Sequence, residues 1–192
     1  FKEKRITCPV WVQVTDFDLH QMWVHEGINR YFVGNEELAY RLCTQGLPQS
    51  RVIVSGIPVM PGFVTPPDRR ESALRYRLDP SRMTILMMSG GAGTGLQQAL
   101  VKSPLAQHLE LQVIVLTGRN EALQRSLQDI EAFYPTRLRA IAFTDDVHCL
   151  MACADLAITK PGGLSTSECL AMRLPMLLVN PIPGQEERNA AW

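Results

Sequence analysis

Short apolar runs alternate along this chain with longer segments in which apolar residues recur every three or four positions. Uninterrupted apolar runs of this length are typical of strands buried on both faces of a parallel sheet. In the first part of the chain they predict three strands, at 10–14, 30–33 and 51–54. Leu38 and Leu42, four residues apart and followed by Gly46, predict a helix over 36–45.

The rest of the chain repeats this alternation more regularly. Apolar runs predict strands at 84–88, 111–116, 138–143, 155–159 and 176–179. The segments between them predict helices at 96–102, 121–132, 147–153 and 165–172. Strand–helix alternation predicts the α/β class, with a parallel sheet covered on both faces. Ligands bind such sheets at the carboxyl ends of the strands, so we expect the chemistry in the loops that follow strands.

A proline- and glycine-rich stretch separates the two parts. Residues 56–67 contain four prolines and two glycines, a composition typical of a stiff connection. We therefore predict a first domain over 1–58, a linker over 59–67 and a second domain over 68–192. The first residues run straight into a strand pattern, and the last residues, Gln185–Trp192, stop inside a predicted helix. We therefore expect both domains to be incomplete here and the chain to come from a longer protein.

Composition narrows the class of protein. Hydrophobic residues make up 46% of the chain, which is globular rather than disordered, and 19 basic side chains balance 19 acidic ones. A neutral chain is not built for electrostatic capture of nucleic acid, so we expect no nucleic-acid partner. Five scattered cysteines without a Cys-x-x-Cys pair favour a reducing compartment such as the cytoplasm. The sequence predicts neither a signal peptide nor a transmembrane span.

A glycine-rich loop, Ser89–Gly95, follows the strand at 84–88 and opens a predicted helix. Glycine permits close backbone approach, and a helix start offers free N–H groups, so the loop predicts a phosphate site; the alternative is a flexible turn. A Walker loop would need lysine, which is missing here. A dinucleotide fingerprint would need glycine where Leu96 stands, which disfavours NAD.

The loop after Thr159 leads into another predicted helix near Ser165. Ser165 and Glu168 match a capping box, in which Glu168 turns back on the helix start. Alternatively, Glu168 faces the ligand and accepts hydrogen bonds from both hydroxyls of a ribose. The sequence leaves these two interpretations open.

The loop after Val179, Asn180–Asn189, is dense in amides and carboxylates. Such planar groups pair with the adjacent hydroxyls of sugars. Alone it would be a polar surface loop leading into a helix. Beside two other ligand-like loops at the same sheet edge, it predicts a sugar site.

Taken in this order, the loops resemble glycosyltransferase family 28, and within it the group of monogalactosyldiacylglycerol synthases and processive diacylglycerol glucosyltransferases. The resemblance rests on motifs that span nearly the whole chain: Val14–Phe17, Val54–Pro58, Gly90–Gly95, Thr117–Asn120, Ile158–Gly163 and Pro183–Glu186.

The resemblance implies a glycosyltransferase B fold, in which two doubly wound Rossmann-like domains face a cleft. It implies inverting transfer of a hexose from UDP-galactose or UDP-glucose to diacylglycerol by a protein peripheral to a membrane surface. No metal or separate cofactor is implied, and we expect this chain alone to be inactive. The alternatives are a UDP-sugar epimerase of the same fold and a UDP-binding module without catalysis.

By resemblance, the donor nucleotide is held by residues of two loops: Gly91, Ala92, Gly93, Thr94, Ser165, Thr166 and Glu168. The first six lie at or near the diphosphate, and Glu168 holds the ribose. Gln185 and Glu186 are implied to hold the hexose.

The acceptor hydroxyl needs a base within hydrogen-bond reach. Asp16 and His20, after the first predicted strand, are the local candidates. By resemblance, a histidine that the family carries in an upstream glycine-rich loop is a rival for that role. Trp23 is the candidate acceptor contact, because tryptophan suits a boundary between lipid and water. Asp16-x-Asp18 matches the metal motif of the other large glycosyltransferase fold, but it lies in a different predicted domain from the phosphate loop, so we expect no metal there.

Overall fold

The structure, a computed structural model, describes residues 7–88 and 98–192. The chain divides into two compact units. The first joins the described residues up to Pro58 with Gly162–Ser167 and Ile182–Trp192. The second contains the described residues of Val59–Pro161 together with Glu168–Pro181.

Regular elements alternate as the sequence predicts. The strands are β1 (Trp11–Gln13), β2 (Arg30–Val33), β3 (Val52–Val54), β4 (Thr84–Met88), β5 (Gln112–Gly118), β6 (Leu138–Ala142), β7 (Leu156–Thr159) and β8 (Met176–Leu178). The α-helices are α1 (Glu36–Thr44), α2 (Pro61–Val64), α3 (Arg69–Arg75), α4 (Gln98–Gln107), α5 (Glu121–Phe133), α6 (Val147–Ala152), α7 (Gly163–Ala171) and α8 (Gln185–Ala191). Short 3₁₀ turns occupy Gln21–Trp23 and Gln49–Arg51.

The first unit is built on a parallel sheet of three strands in the order β1-β2-β3. Its core includes Leu38 and Leu42 of α1, the pair whose spacing predicted the helix. Tyr31 of β2 is completely buried, and its hydroxyl donates to the carbonyl of Trp23, 2.8 Å away, and accepts from the N–H of His25 at 2.8 Å. This one side chain therefore fixes the turn that follows β1.

The second unit contains a parallel sheet of five strands in the order β6-β5-β4-β7-β8. Two separate apolar clusters pack within this unit, one including Leu86 and Ile114 and the other Met87 and Val113. Neighbouring residues of β4 belong to different clusters because side chains alternate across a strand. The chain runs from β4 outward to β6 and then returns to the other side of β4 with β7. The boundary between β4 and β7 is therefore the topological switch point of the sheet.

The opposite, amino-terminal edge of this sheet is tied down by Asp155. Its carboxylate accepts two hydrogen bonds from the guanidinium of Arg69, each 2.9 Å, and one from the N–H of Thr84 at 2.8 Å. Burial alone would raise the pKa of Asp155, but the hydrogen bonds from Arg69 and Thr84 and the charge of Arg69 outweigh it, so this pKa is lowered.

The helix that the sequence predicts over 96–102 extends further in the structure. The predicted end is Lys102, whereas α4 continues past Pro104 to Gln107. Proline costs a helix one backbone hydrogen bond. Here Val101 and Leu105 on either side are almost completely buried, so packing of this face outweighs the local preference.

Two further helices lie within and just after the proline-rich stretch. The proline-rich stretch contains α2, with Pro61 at its first position, where a missing N–H costs nothing. In α3 the side chain of Asp68 accepts from the N–H of Glu71 at 3.0 Å, a capping signal that the sequence contains.

The predicted division at 59–67 stays a prediction. Among the described residues, none of the helices has the length and hydrophobicity of a membrane-spanning segment.

Candidate functional site

Three strands of the second unit end at the same level. Met88 of β4 pairs with Thr159 of β7, and Thr159 pairs with Leu178 of β8. The loops that follow these residues therefore leave one edge of the sheet, at its topological switch point. These are the three loops in which the sequence predicts a ligand site. Residues 89–97 lie outside the described residues, so the predictions for Gly91, Ala92, Gly93 and Thr94 stay predictions.

The second loop leads into α7, which begins at Gly163 rather than near Ser165. Ser165 is therefore inside the helix and is not its N-cap, so the capping-box interpretation is wrong. The hydroxyl of Thr166 lies 3.0 Å from the carbonyl oxygen of Gly162, and that of Ser167 donates to Gly163 at 2.7 Å. Thr166 thus supports its own helix start, whereas the hydroxyl of Ser165 has no hydrogen bond within the described part of the chain.

Glu168 is half-buried in α7. Its carboxylate has no hydrogen-bond or ion-pair partner among residues 7–88 and 98–192. Burial raises its pKa, because desolvation penalises the charged form. A carboxylate that is partly desolvated without a partner lowers stability, and such groups concentrate where a ligand completes the environment.

The third loop ends at Gly184, whose φ of +90° favours glycine. The carboxylate of Glu186 accepts a hydrogen bond from the N–H of Ile182 at 2.7 Å, and that of Glu187 accepts from the N–H of Gly184 at 2.9 Å. Glu186, a predicted hexose ligand, thus holds its own loop in this structure.

Gln185, the other predicted hexose ligand, is the first residue of α8 and donates its side-chain amide to the carboxylate of Asp16. The other oxygen of Asp16 accepts from the amide of Asn189 at 3.0 Å. Two predicted site residues, Asp16 and Gln185, are therefore in direct contact. Sequence reasoning missed Asn189, although it follows Gln185 by four residues and so shares its helix face.

Asp18 engages different partners from Asp16. Its buried carboxylate forms ion pairs with Arg41 of α1 and Arg188 of α8. Between the two acids, the ring of Phe17 stacks on Trp192 with centroids 4.2 Å apart. The first carboxylate of the Asp-x-Asp pattern is thus hydrogen-bonded to side-chain amides, and the second is ion-paired with guanidinium groups.

His20 caps the 3₁₀ turn after β1, and Trp23 is the last residue of that turn. The Nδ1 of His20 accepts from the N–H of Met22 at 3.2 Å, and its Nε2 has no hydrogen bond within the described residues. The imidazole is exposed, and the Trp23 side chain is 43% exposed. Both side chains are accessible, as contacts with an external acceptor require.

Comparison with known families gives two matches that together cover most of the chain. Monogalactosyldiacylglycerol (MGDG) synthase matches residues 1–59, and the glycosyltransferase family 28 C-terminal domain matches residues 84–191. Among curated relatives, the processive diacylglycerol beta-glucosyltransferase of Bacillus licheniformis is 36% identical over 96% of this chain and 48% of that protein. The enzyme of the same name from Bacillus subtilis is 33% identical over 95% of this chain and 48% of its own. The chain spans about half the length of the curated relatives it matches.

Solved structures agree on the fold. The UDP co-structure of S. aureus MnaA has a TM-score of 0.59 and 16% identity, over 86% of this chain and 45% of that one. MurG of Acinetobacter baumannii has a TM-score of 0.53 and 18% identity, over 96% of this chain and 50% of that one. At this identity the likeness shows the fold alone. It confirms the predicted α/β glycosyltransferase B fold.

Proposed function

The chain belongs to glycosyltransferase family 28, in the group of monogalactosyldiacylglycerol synthases and processive diacylglycerol glucosyltransferases, and from this membership we propose that the full-length protein transfers a hexose from a UDP-sugar to diacylglycerol. The observation that carries the proposal is the pair of family matches, one on each part of the chain, together with relatives named for this reaction. Because those relatives are named glucosyltransferases, UDP-glucose is the first donor to test and UDP-galactose the second.

The donor nucleotide occupies the carboxyl edge of β4 and β7 in this proposal. Gly91, Ala92, Gly93 and Thr94 hold the diphosphate, with Ser165 and Thr166 nearby. Support comes from the topological switch point and from the level ends of the strands. N–H groups at helix starts stabilise the negative charge of the departing UDP.

The carboxylate of Glu168 accepts hydrogen bonds from both ribose hydroxyls, which supply the partners that it lacks among the described residues. Each such charge-assisted bond contributes about 1.5–3 kcal/mol. Gln185 and Glu186 bind hydroxyls of the hexose. Glu186 now accepts from the N–H of Ile182, so binding the sugar exchanges that hydrogen bond for another. Gln185 keeps its amide N–H on Asp16 and offers its amide oxygen to a hydroxyl of the hexose.

The reaction is a direct displacement. The free hydroxyl of diacylglycerol attacks the anomeric carbon, the bond between that carbon and the UDP oxygen breaks, and the configuration inverts. Asp16 accepts the hydroxyl proton, and His20 lies near the acceptor as the rival base. Asp16 is favoured because two amides already hold its carboxylate, whereas His20 bonds only to its own turn among the described residues.

A diacylglycerol acceptor requires the protein to work at a membrane surface. Met22 and Trp23, 66% and 43% exposed, offer an apolar contact for the lipid on the turn that follows β1. All five cysteines are free, which favours the cytoplasm or an equivalent reducing organelle compartment.

The test is an assay with the full-length protein, UDP-glucose labelled in the sugar, and diacylglycerol in mixed micelles. The proposal predicts label in the lipid fraction only when diacylglycerol is present. Conversion of the sugar nucleotide without lipid would instead support a UDP-sugar epimerase. UDP binding with neither reaction would support a binding module.

A further inference from the structure

Asn189 uses both ends of its side-chain amide at the end of β1. Its Nδ2 donates to Asp16 Oδ1 at 3.0 Å, and its Oδ1 accepts from the N–H of Phe17 at 2.9 Å. The residue is only 5% exposed. A buried amide lowers stability unless it is hydrogen-bonded, so these partners fix its orientation. One amide therefore links the carboxylate of Asp16 to the backbone that carries it.

The contacts of α8 with this segment are distributed over separate side chains. Gln185 and Asn189 contact the carboxylate of Asp16. Arg188 contacts Asp18, the next acid along. Removing Arg188 therefore weakens the attachment of α8 without touching Asp16, which makes it a matched control for Asn189.

We propose that Asn189 is a positioning residue for the transfer reaction: it holds the Asp16 carboxylate in the orientation that receives the proton of the acceptor hydroxyl. This inference rests on the proposed role of Asp16 as the base. A carboxylate has about four lone-pair sites, so the two amide hydrogen bonds leave sites for a substrate hydroxyl. Holding a catalytic group in its working geometry is a recognised source of rate enhancement.

The charge of the positioning group matters. An amide orients a carboxylate without placing a full charge beside it. The cations found at this segment, Arg41 and Arg188, are paired with Asp18. Replacing Asn189 by aspartate keeps the shape but exchanges the donor for a second carboxylate. A neighbouring negative charge disfavours ionisation of Asp16.

The experiment compares Asn189→Asp, Asn189→Ala and Arg188→Gln in the full-length protein, by kcat, KM and thermal unfolding across pH. We expect Asn189→Asp to lower kcat at neutral pH by about tenfold to a hundredfold, with KM for UDP-glucose changed less than about twofold. The acid limb of its kcat profile moves to higher pH, because the active form needs ionised Asp16. Asn189→Ala lowers kcat with a smaller displacement of the limb, because it removes a hydrogen-bond donor without adding a charge, and Arg188→Gln leaves both kcat and the limb unchanged.

The outcomes separate positioning from attachment of the helix. Equal losses of kcat in Asn189→Ala and Arg188→Gln, in proportion to their losses of thermal stability, would overturn the inference, as would an unshifted acid limb in Asn189→Asp. If Asn189→Asp does not fold, the comparison of Asn189→Ala with Arg188→Gln still decides. Asp16→Asn tests the underlying function: if it retains kcat, Asp16 is not the base. If it loses kcat while both Asn189 variants retain it, only the positioning role fails.

Discussion

Gly163, the first residue of α7, lies against the backbone of Thr15 so closely that a Cβ on Gly163 would fall 1.9 Å from the Thr15 carbonyl oxygen. The Cα of Asp16 would be 3.0 Å from the same Cβ. The obstructing atoms belong to backbone, which cannot rotate away as a side chain does. Glycine is required here for close approach, next to the candidate base.

The neighbouring glycine provides a matched comparison. A Cβ on Gly162 would meet nothing within 4 Å. We expect Gly163→Ala to lower the free energy of unfolding by about 1–3 kcal/mol, the usual effect of overpacking, and Gly162→Ala to change it by less than about 0.5 kcal/mol. Urea unfolding of both variants measures the difference. Equal effects would mean that the approach of Gly163 to Thr15 is not a constraint on the fold.

Glu168→Gln should separate binding from stability. The pKa of Glu168 is raised in the folded state, so the protonated side chain favours folding. This contribution is present below the pKa that Glu168 has in the unfolded chain, and it is lost as pH rises through the pKa of the folded state. At neutral pH the variant should therefore unfold at an equal or higher temperature than the parent. Its affinity for UDP should fall about tenfold, through loss of charge-assisted bonds to ribose.

Titration calorimetry with UDP and thermal unfolding without nucleotide check both parts of this prediction. Glu110→Gln is the control, since Glu110 is an exposed carboxylate outside the proposed site. Unchanged UDP affinity in Glu168→Gln would remove Glu168 from the nucleotide site. Reduced stability with unchanged affinity would give it a purely structural role.

UDP and UMP should stabilise the protein unequally. A ligand that binds only the folded form, at 100 times its dissociation constant, adds about 2.7 kcal/mol. For a chain of this size that raises the unfolding midpoint by roughly 5–10 °C. UMP lacks the second phosphate and should give a smaller shift at the same concentration. Equal shifts would mean that the second phosphate adds nothing to binding. They would remove the case for a diphosphate site in the glycine-rich stretch that follows β4.

We expect the free energy of unfolding to depend on pH through Asp155, at the amino-terminal edge of the five-stranded sheet. The pKa of Asp155 is lowered in the folded state, so the ionised side chain stabilises the fold. This contribution is present above the pKa that Asp155 has in the unfolded chain, and it is lost as pH falls through the pKa of the folded state. Asp155→Asn should lower the free energy of unfolding by about 1 kcal/mol at neutral pH, a modest figure because solvent screens this partly exposed pair. Urea unfolding should show the difference from the parent narrowing below about pH 4. A difference independent of pH would exclude the carboxylate charge as its cause.

The sequence pattern predicted the strands well because buried parallel strands are continuous apolar runs, and every predicted strand is found within two residues of its bounds. Local sequence signals predicted helix bounds less well where tertiary packing determines them. Burial of Leu105 carries α4 past Pro104, against the preference of proline. The start of α7 lies at Gly163 although Ser165 and Glu168 match a capping box.

The candidate site was predictable in its loops but not in its contacts. The position of Glu168 after a strand left a ligand role open, and its lack of a partner among the described residues emerges only from the structure. The contacts of Asn189 and Gln185 with Asp16 join residues separated by 173 and 169 positions. No local pattern specifies such pairings, because they depend on where α8 packs.

The anomeric configuration of the lipid product reports directly on the proposed displacement. The full-length protein is incubated with UDP-glucose, in which the sugar is α-linked, and diacylglycerol, and the purified glycolipid is examined by proton NMR. Direct displacement predicts a β-linked glucose on the free hydroxyl of diacylglycerol. An α-linked product would exclude direct displacement, and consumption of UDP-glucose without any glycolipid would exclude diacylglycerol as the acceptor.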